Sequence, residues 1–355
     1  MPGAPLVSEW AHGASCLDNA PEFHSLGQGN NVNILNLQRD VANRHTEKNR
    51  WGLALILILL GSTCGLHAQP SPPSLANVRR ITPERDYVSP AWSPFSADHI
   101  AFAPRGFAGI YLMALSANEI SLLTGDVASG FRFVWTPDGQ HIVYRAKQDP
   151  LNSIIGMVNV RTKLKRSLSI AGPDIGLPIL KSKGVIAYCV SDRLEEIAVD
   201  VASRQTPGEI EWPIVFQRDD QIFVAIGGAV NRVSKPPGKY YLPMLSPDGT
   251  NVVYEEISRG IYVSNVSHPD QIIYLGQGNN PKWSPNGAYI VYEIPIDNGN
   301  AITSSSLYVF DVVGRKATRL TNTVSTVERR PSFSSDGARV AFDANGAIYI
   351  ADFIR

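Results

Sequence analysis

The chain has 355 residues, 32 basic and 32 acidic, with 44% of apolar type and 18% charged. Zero formal net charge removes the electrostatic reason to bind nucleic acid or an anionic membrane surface.

Residues 1–46 are polar, mixed in charge and rich in Asn, Gly and Ser, with no sustained helical or strand period, so they read as a disordered or untranslated leader. Lys48 and Arg50 then precede an apolar run from Trp51 to Leu60, which is followed by small residues and by Ala68 just before Gln69. A basic flank, a short apolar stretch and a small residue at the cut make residues 47–68 a predicted secretory signal peptide. The run is short of the roughly 20 residues that cross a bilayer. A signal so far along the chain implies translation starting downstream of Met1; the alternative is an uncleaved anchor behind a long tail. The expected location is therefore periplasmic or extracellular, with membrane anchoring as the alternative. Cys64 lacks the upstream Leu of a lipidation site. Residues 69–74, with the string PSPPS, read as a linker, and residues 75–355 as one folded domain.

Within that domain the phrase PKWSPNGAYIVY, Pro281 to Tyr292, returns with edits at a mean spacing of roughly 40 residues. It reads as a strand anchored by Trp283, a turn at Ser284 to Gly287, and a second strand carrying Ile290 and Tyr292 on one face. The Ser-Pro-Asn-Gly turn is chemically specified, since Pro presets φ and Gly supplies the left-handed residue. In order, the predicted anchors are Trp92, Trp135, Leu180, Val215, Leu245, Trp283 and Phe333, each followed by an aliphatic residue and then a second apolar residue two further on. Proline stands two residues before all of them except Trp135.

Third strands rhyme as well: GIYLMAL from Gly109, GIYVSNV from Gly260, LYVFDV from Leu307 and AIYIADF from Ala347. Polar fourth strands follow in most repeats, as in ISLLTGD from Ile120. Four antiparallel strands per repeat make a propeller blade, so the predicted fold is an all-β propeller of seven blades, or six if one degraded repeat is an excursion. The last repeat stops after three strands. ANVRRIT, Ala76 to Thr82, resembles the fourth strands and is expected to complete it, closing the ring with the N-terminal strand.

The WSPDG-type phrase, the aliphatic-x-aromatic pair, IYxxD and LT together resemble the TolB-like propeller repeats, over essentially all of Leu75 to Arg355. The resemblance implies the fold; its members include a periplasmic translocation protein and the propellers of prolyl-oligopeptidase-type enzymes. Here only a linker precedes the first strand, without the α/β domain of the periplasmic protein, and the repeats number seven rather than six.

Catalytic signatures are missing: the chain has no GxSxG, HExxH, P-loop or CxxC. His99, His141 and His268 are scattered among turns, so no metal or other cofactor is expected. Asp138, Asp248 and Asp336 recur at a turn position that Asn286 also fills, which assigns them to turn formation. Asp297 to Asn300 reads as a hairpin loop rather than a calcium loop. Cys189, the only cysteine after the signal, reads as a structural thiol and permits no disulfide within the mature chain.

Residues just before each anchor should gather at one mouth of the central channel. They include Tyr87, Arg132, Trp212, Tyr240, Tyr241, Asn279, Asn280, Glu328, Arg329 and Arg330. Aromatics with arginines favour a contact surface. The expected role is a monomeric, non-enzymatic scaffold that binds a protein or peptide there, with no membrane span after signal cleavage. The alternative is a carbohydrate-active lyase or hydrolase with acidic residues at the mouth.

Overall fold

A computed structural model describes residues 71–182, 185–191, 193–199, 213–323 and 325–355. The predicted leader and signal segment, and Trp212, lie outside the described residues. No helix among the described residues is long and apolar enough to cross a membrane.

Seven antiparallel sheets follow one another along the chain, most of them four-stranded meanders, as a seven-bladed propeller. We number the blades in chain order. The four-residue turns form as their chemistry dictates. Gly139, Gly249, Gly287 and Gly337 adopt φ between 66° and 72°. The turn carboxylate or amide accepts from the backbone two residues on, as Asp138 does from Gln140 at 2.9 Å and Asn286 from Ala288 at 3.1 Å. The repeated acids thus close hairpins.

Register tests the repeat alignment residue by residue. Trp92 faces Ile100, Trp135 faces Ile142, Leu180 faces Ile186, Leu245 faces Val252, Trp283 faces Ile290 and Phe333 faces Val340. Val215 breaks the series, since it faces Val224 and not Ile222. In blade 4 the hairpin from Ile214–Arg218 to Gln221–Ile226 turns through Asp219 and Asp220, both at positive φ. Asn345 and Gly346 make the same turn between the second and third strands of blade 7. Ring stacking agrees: Phe216 lies 5.8 Å from Phe223, as the second-strand Phe102 lies 5.9 Å from the third-strand Tyr111. The N–H of Tyr240 donates to Asp220 O at 2.8 Å, just as Tyr87 donates to Gly346 O at 2.9 Å. The described strands of blade 4 are therefore its second, third and fourth, and Val215 is not an inner-strand anchor. A degraded turn allowed a third-strand aliphatic pair to pass as a second-strand one.

The ring closes through the first described strand. Ser74–Arg80 runs antiparallel to Ala347–Ile354, from Ser74 opposite Ile354 to Arg80 opposite Tyr349, in a sheet completed by Arg339–Ala344 and Glu328–Phe333. It begins slightly ahead of the expected Ala76, taking one residue from the predicted linker. Its end is pinned twice: Ile81 N–H donates to Ile348 O, and the buried Thr82 hydroxyl accepts from Ile348 N–H, both at 2.9 Å. Thr321 treats Leu307 N–H the same way, which is why the fourth strands end in Leu-Thr or Ile-Thr.

Between blades the anchors wedge into apolar seams. Trp283 packs with Val253, Ile261 and Val263 of blade 5 and with Ile290 and Tyr292 of its own blade. Its indole N–H donates to Met244 O at 3.2 Å, and that of Trp135 to Ala91 O at 3.2 Å, so each bonds the inner strand of the preceding blade. The Trp92 indole N–H has no such partner among the described residues; instead the Arg339 guanidinium stacks 4.8 Å from the ring centroid. Fully burying an apolar side chain of this size contributes about 1.5–3 kcal/mol, so the seams supply much of the ring's cohesion.

Candidate functional site

Three residues before the anchor, the inner strands share a kink. Ser89, Arg132, Leu242, Asn280 and Arg330 all have φ between 49° and 58°. In blades 1, 5, 6 and 7 the strand register slips here, the mark of a bulge. A left-handed backbone on residues other than Gly is strained and persists only where its surroundings fix it. The slip frees one N–H from the ladder, and that N–H must find another acceptor.

Three buried carboxylates supply it. Glu255 accepts from Asn280 N–H at 3.1 Å, Glu293 from Arg330 N–H, and Asp343 from Ser89 N–H at 3.0 Å. Each acid follows the second-strand aromatic of its blade and reaches into the next blade round the ring, from 5 to 6, 6 to 7 and 7 to 1. Each also gathers further donors. Glu293, 0% exposed, takes Asn280 Nδ2 at 3.1 Å and Arg329 Nε at 3.0 Å. Asp343 takes both Nε and Nη2 of Arg330, at 2.7 and 2.6 Å. Such two-pronged guanidinium pairs are strong and fix orientation.

Of these residues Ser89, Glu255, Asn280, Arg329 and Arg330 line a cavity of about 360 Å³, in the size range of small-ligand sites. Arg132, Tyr241, Asn279, Asn280, Arg329 and Arg330, from the residues predicted to surround the mouth, all line it. Arg132 of blade 2 reaches Asn280 Oδ1 of blade 6 at 3.1 Å, bridging blades that are not neighbours in the ring. Tyr87, Tyr240 and Glu328 lie one residue earlier in the strand alternation and face the packing instead. Tyr87 sits 4.7 Å from Phe102, and Tyr240 sits 5.3 Å from Tyr254, with its hydroxyl on Lys235 O. Glu328 is buried against the Thr321 hydroxyl.

Sequence reasoning missed Glu255, Glu293, Asp343 and Lys282. An acid directly after the aromatic of three successive second strands, in YEE, YEI and FDA, was the available signal for the first three. Lys282 stands between the kink and Trp283, where the other blades place Ala91, Val134, Met244 and Ser332. Its side chain lines the cavity beside Glu255 and Arg132. Burial, then repulsion from Arg132, lowers its pKa to about 7, against the pull of Glu255. Burial lowers Arg132 and raises Glu255, while burial and then Glu255 raise Tyr241. Burial likewise pushes the half-buried Cys189 thiol up, away from reactivity. No cluster of metal-ligating side chains is present among the described residues.

No protein-family model matches the chain, and no curated protein matches it. Solved structures do. A chain of a mitotic checkpoint complex is 14% identical over 86% of this chain and 99% of that one, with a TM-score of 0.56. TolB from Acinetobacter baumannii is 18% identical over 71% of this chain, which spans only 58% of it, with a TM-score of 0.49. An oligogalacturonate lyase in complex with manganese is 14% identical over 80% and 97%, with a TM-score of 0.47. At these identities the likeness extends to the fold alone: the chain is a β-propeller.

Proposed function

We propose that this is an exported propeller that captures a segment of a protein partner at the channel mouth without chemically changing it. The observation that carries the reading is the cavity itself. Separate blades deliver cations, an amide and aromatic faces to one concave site on a rigid ring, the composition of a recognition surface. The nearby carboxylates are occupied: Glu255 in the lining and Glu293, bonded to the lining residue Asn280, both hold backbone N–H groups, which leaves them poorly placed as acid and base.

Site-specific photo-crosslinking tests it. A crosslinker at Tyr241 should trap one defined partner in cells, lost in Phe131→Ala, while a crosslinker at the exposed Val313 should not. Identical products from both positions would overturn the reading. Export would be read from the N-terminal mass of the mature protein, expected to begin at Gln69.

The carbohydrate-active alternative draws on one observation, that Glu255 and Glu293 both bond Asn280 on the cavity wall. Release of reducing ends from a neutral or acidic polysaccharide, lost in Glu255→Gln, would favour it.

A further inference from the structure

The charges on the cavity wall do not cancel. Arg329 is paired with Glu293 and Arg330 with Asp343. That leaves Arg132 and Lys282 facing Glu255, the single carboxylate among the described lining residues, so with Lys282 protonated the site carries one cation in excess.

Both of those cations also have donors to spare. Among the described residues Arg132 makes one side-chain hydrogen bond, to the neutral Asn280 amide, leaving most of its planar fork unused. Among the described residues the Lys282 ammonium has no hydrogen-bond or ion-pair partner, although protein surrounds the side chain and its remaining exposure is to the cavity. Ammonium groups so enclosed are rarely left unpaired. Apolar side chains share the lining: Phe107 and Phe131 meet edge to face at 5.2 Å, and Phe133 lines the cavity too.

We infer that the Arg132–Lys282 wall is a binding site for an organic monocarboxylate, its oxygens on the two cations and its apolar body against Phe107, Phe131 and Phe133. Three features select that class. A single negative charge restores neutrality, whereas a phosphate dianion would overshoot. The guanidinium fork matches a planar carboxylate. The lining phenylalanines give a hydrocarbon body surface to bury. The inference stands apart from capture of a protein segment: the carboxylate could belong to a free small molecule or to an acidic or C-terminal residue of a bound chain, and its chemistry at the wall is the same.

The test uses the whole propeller and three probes: 3-phenylpropionate, the isosteric 3-phenylpropionamide, and inorganic phosphate. Calorimetry should show saturable binding of the carboxylate, at least tenfold weaker binding of the amide, and phosphate weaker than the carboxylate. Lys282→Met and Arg132→Met should each weaken the carboxylate at least tenfold. Because either variant could perturb folding, the side-chain nitrogen resonance of Lys282 is followed in the unaltered protein and should shift in step with carboxylate occupancy. Equal affinity for acid and amide, tighter binding of phosphate, an unmoved Lys282 signal at saturation, or no carboxylate binding at millimolar concentration would each overturn the inference. To separate the two sources, a short peptide with a free C-terminal Phe is compared with its amidated form. Loss on amidation identifies a chain end, and preference for the free acid alone identifies a small molecule; either supports the site.

Discussion

The same strand position is filled in opposite ways on the two sides of the ring. After the second-strand aromatic, blades 5, 6 and 7 carry Glu255, Glu293 and Asp343, which accept from a kinked backbone N–H of the next blade. Blade 1 carries Ala103 there, and blade 2 carries Arg145, which donates to Ile175 O on the approach to blade 3 at 3.2 Å. Blades 3 and 4 carry Cys189 and Gln217. One arc is thus fastened by buried charge and the other by packing and single neutral acceptors. Repeats that share an apolar frame are free to differ in polar fasteners, because each fastener need only satisfy its own neighbour.

The largest effect should come from cutting the join between the arcs. Deleting residues 71–82 bares the edge of the last blade and strips Ile348 of its partners, and should cost about 5 kcal/mol or more, roughly 10 °C in midpoint. Thermal unfolding of the truncated chain reads this directly. Next comes Glu293→Ala, which orphans Arg329, the Arg330 N–H and one Asn280 bond. Removing one side of a buried pair costs about 3–5 kcal/mol, measured by urea unfolding. On the other arc, Arg145→Leu gives up one hydrogen bond to a carbonyl and should cost about 1 kcal/mol. Gln217→Ala, at an exposed site, should stay within about 0.5 kcal/mol. Equal costs for Glu293→Ala and Arg145→Leu would erase the distinction between the arcs.

The smallest effect is one of pH. Folded, Lys282 loses its proton near pH 7; unfolded, it keeps it to 10.5. The unfolded chain therefore binds more protons between those values, and the burden of burying this amine falls as pH rises through that window. Lys282→Met should be more stable than the unaltered protein below pH 7, with the advantage shrinking towards pH 10. A gap independent of pH would mean that the pull of Glu255 outweighs burial and the repulsion from Arg132 and holds Lys282 protonated throughout.

The frame of the fold was legible because turns and apolar alternation are local. Ser-Pro-Asn-Gly writes its own hairpin, and Trp283 with Ile290 and Tyr292 writes a strand pair on either side of it. Blade 4 was misread where that local chemistry fails: without a Pro-Gly turn, Ile222 and Val224 carry the same spacing in a third strand as elsewhere in a second. At the mouth, Arg132, Tyr241 and Asn280 could be picked out by distance from the anchor. Tyr87, Tyr240 and Glu328, counted with them, face the packing, because neighbours in a strand face opposite ways and distance from the anchor does not carry strand phase. Glu255, Glu293 and Asp343 act on the next blade, roughly 25 to 37 residues on for the first two and across the ring closure for the third. No local pattern in the sequence announces such a partner.

Amide hydrogen exchange at the kinks tests the central claim most directly. If buried carboxylates fasten one arc, the N–H groups of Ser89, Asn280 and Arg330 should exchange slowly while that of Arg132, the matching kink after Ala103, exchanges fast; Glu293→Gln should release Arg330 ahead of Ser89. Uniform exchange at all four kinks, or an Arg330 amide indifferent to residue 293, would contradict it.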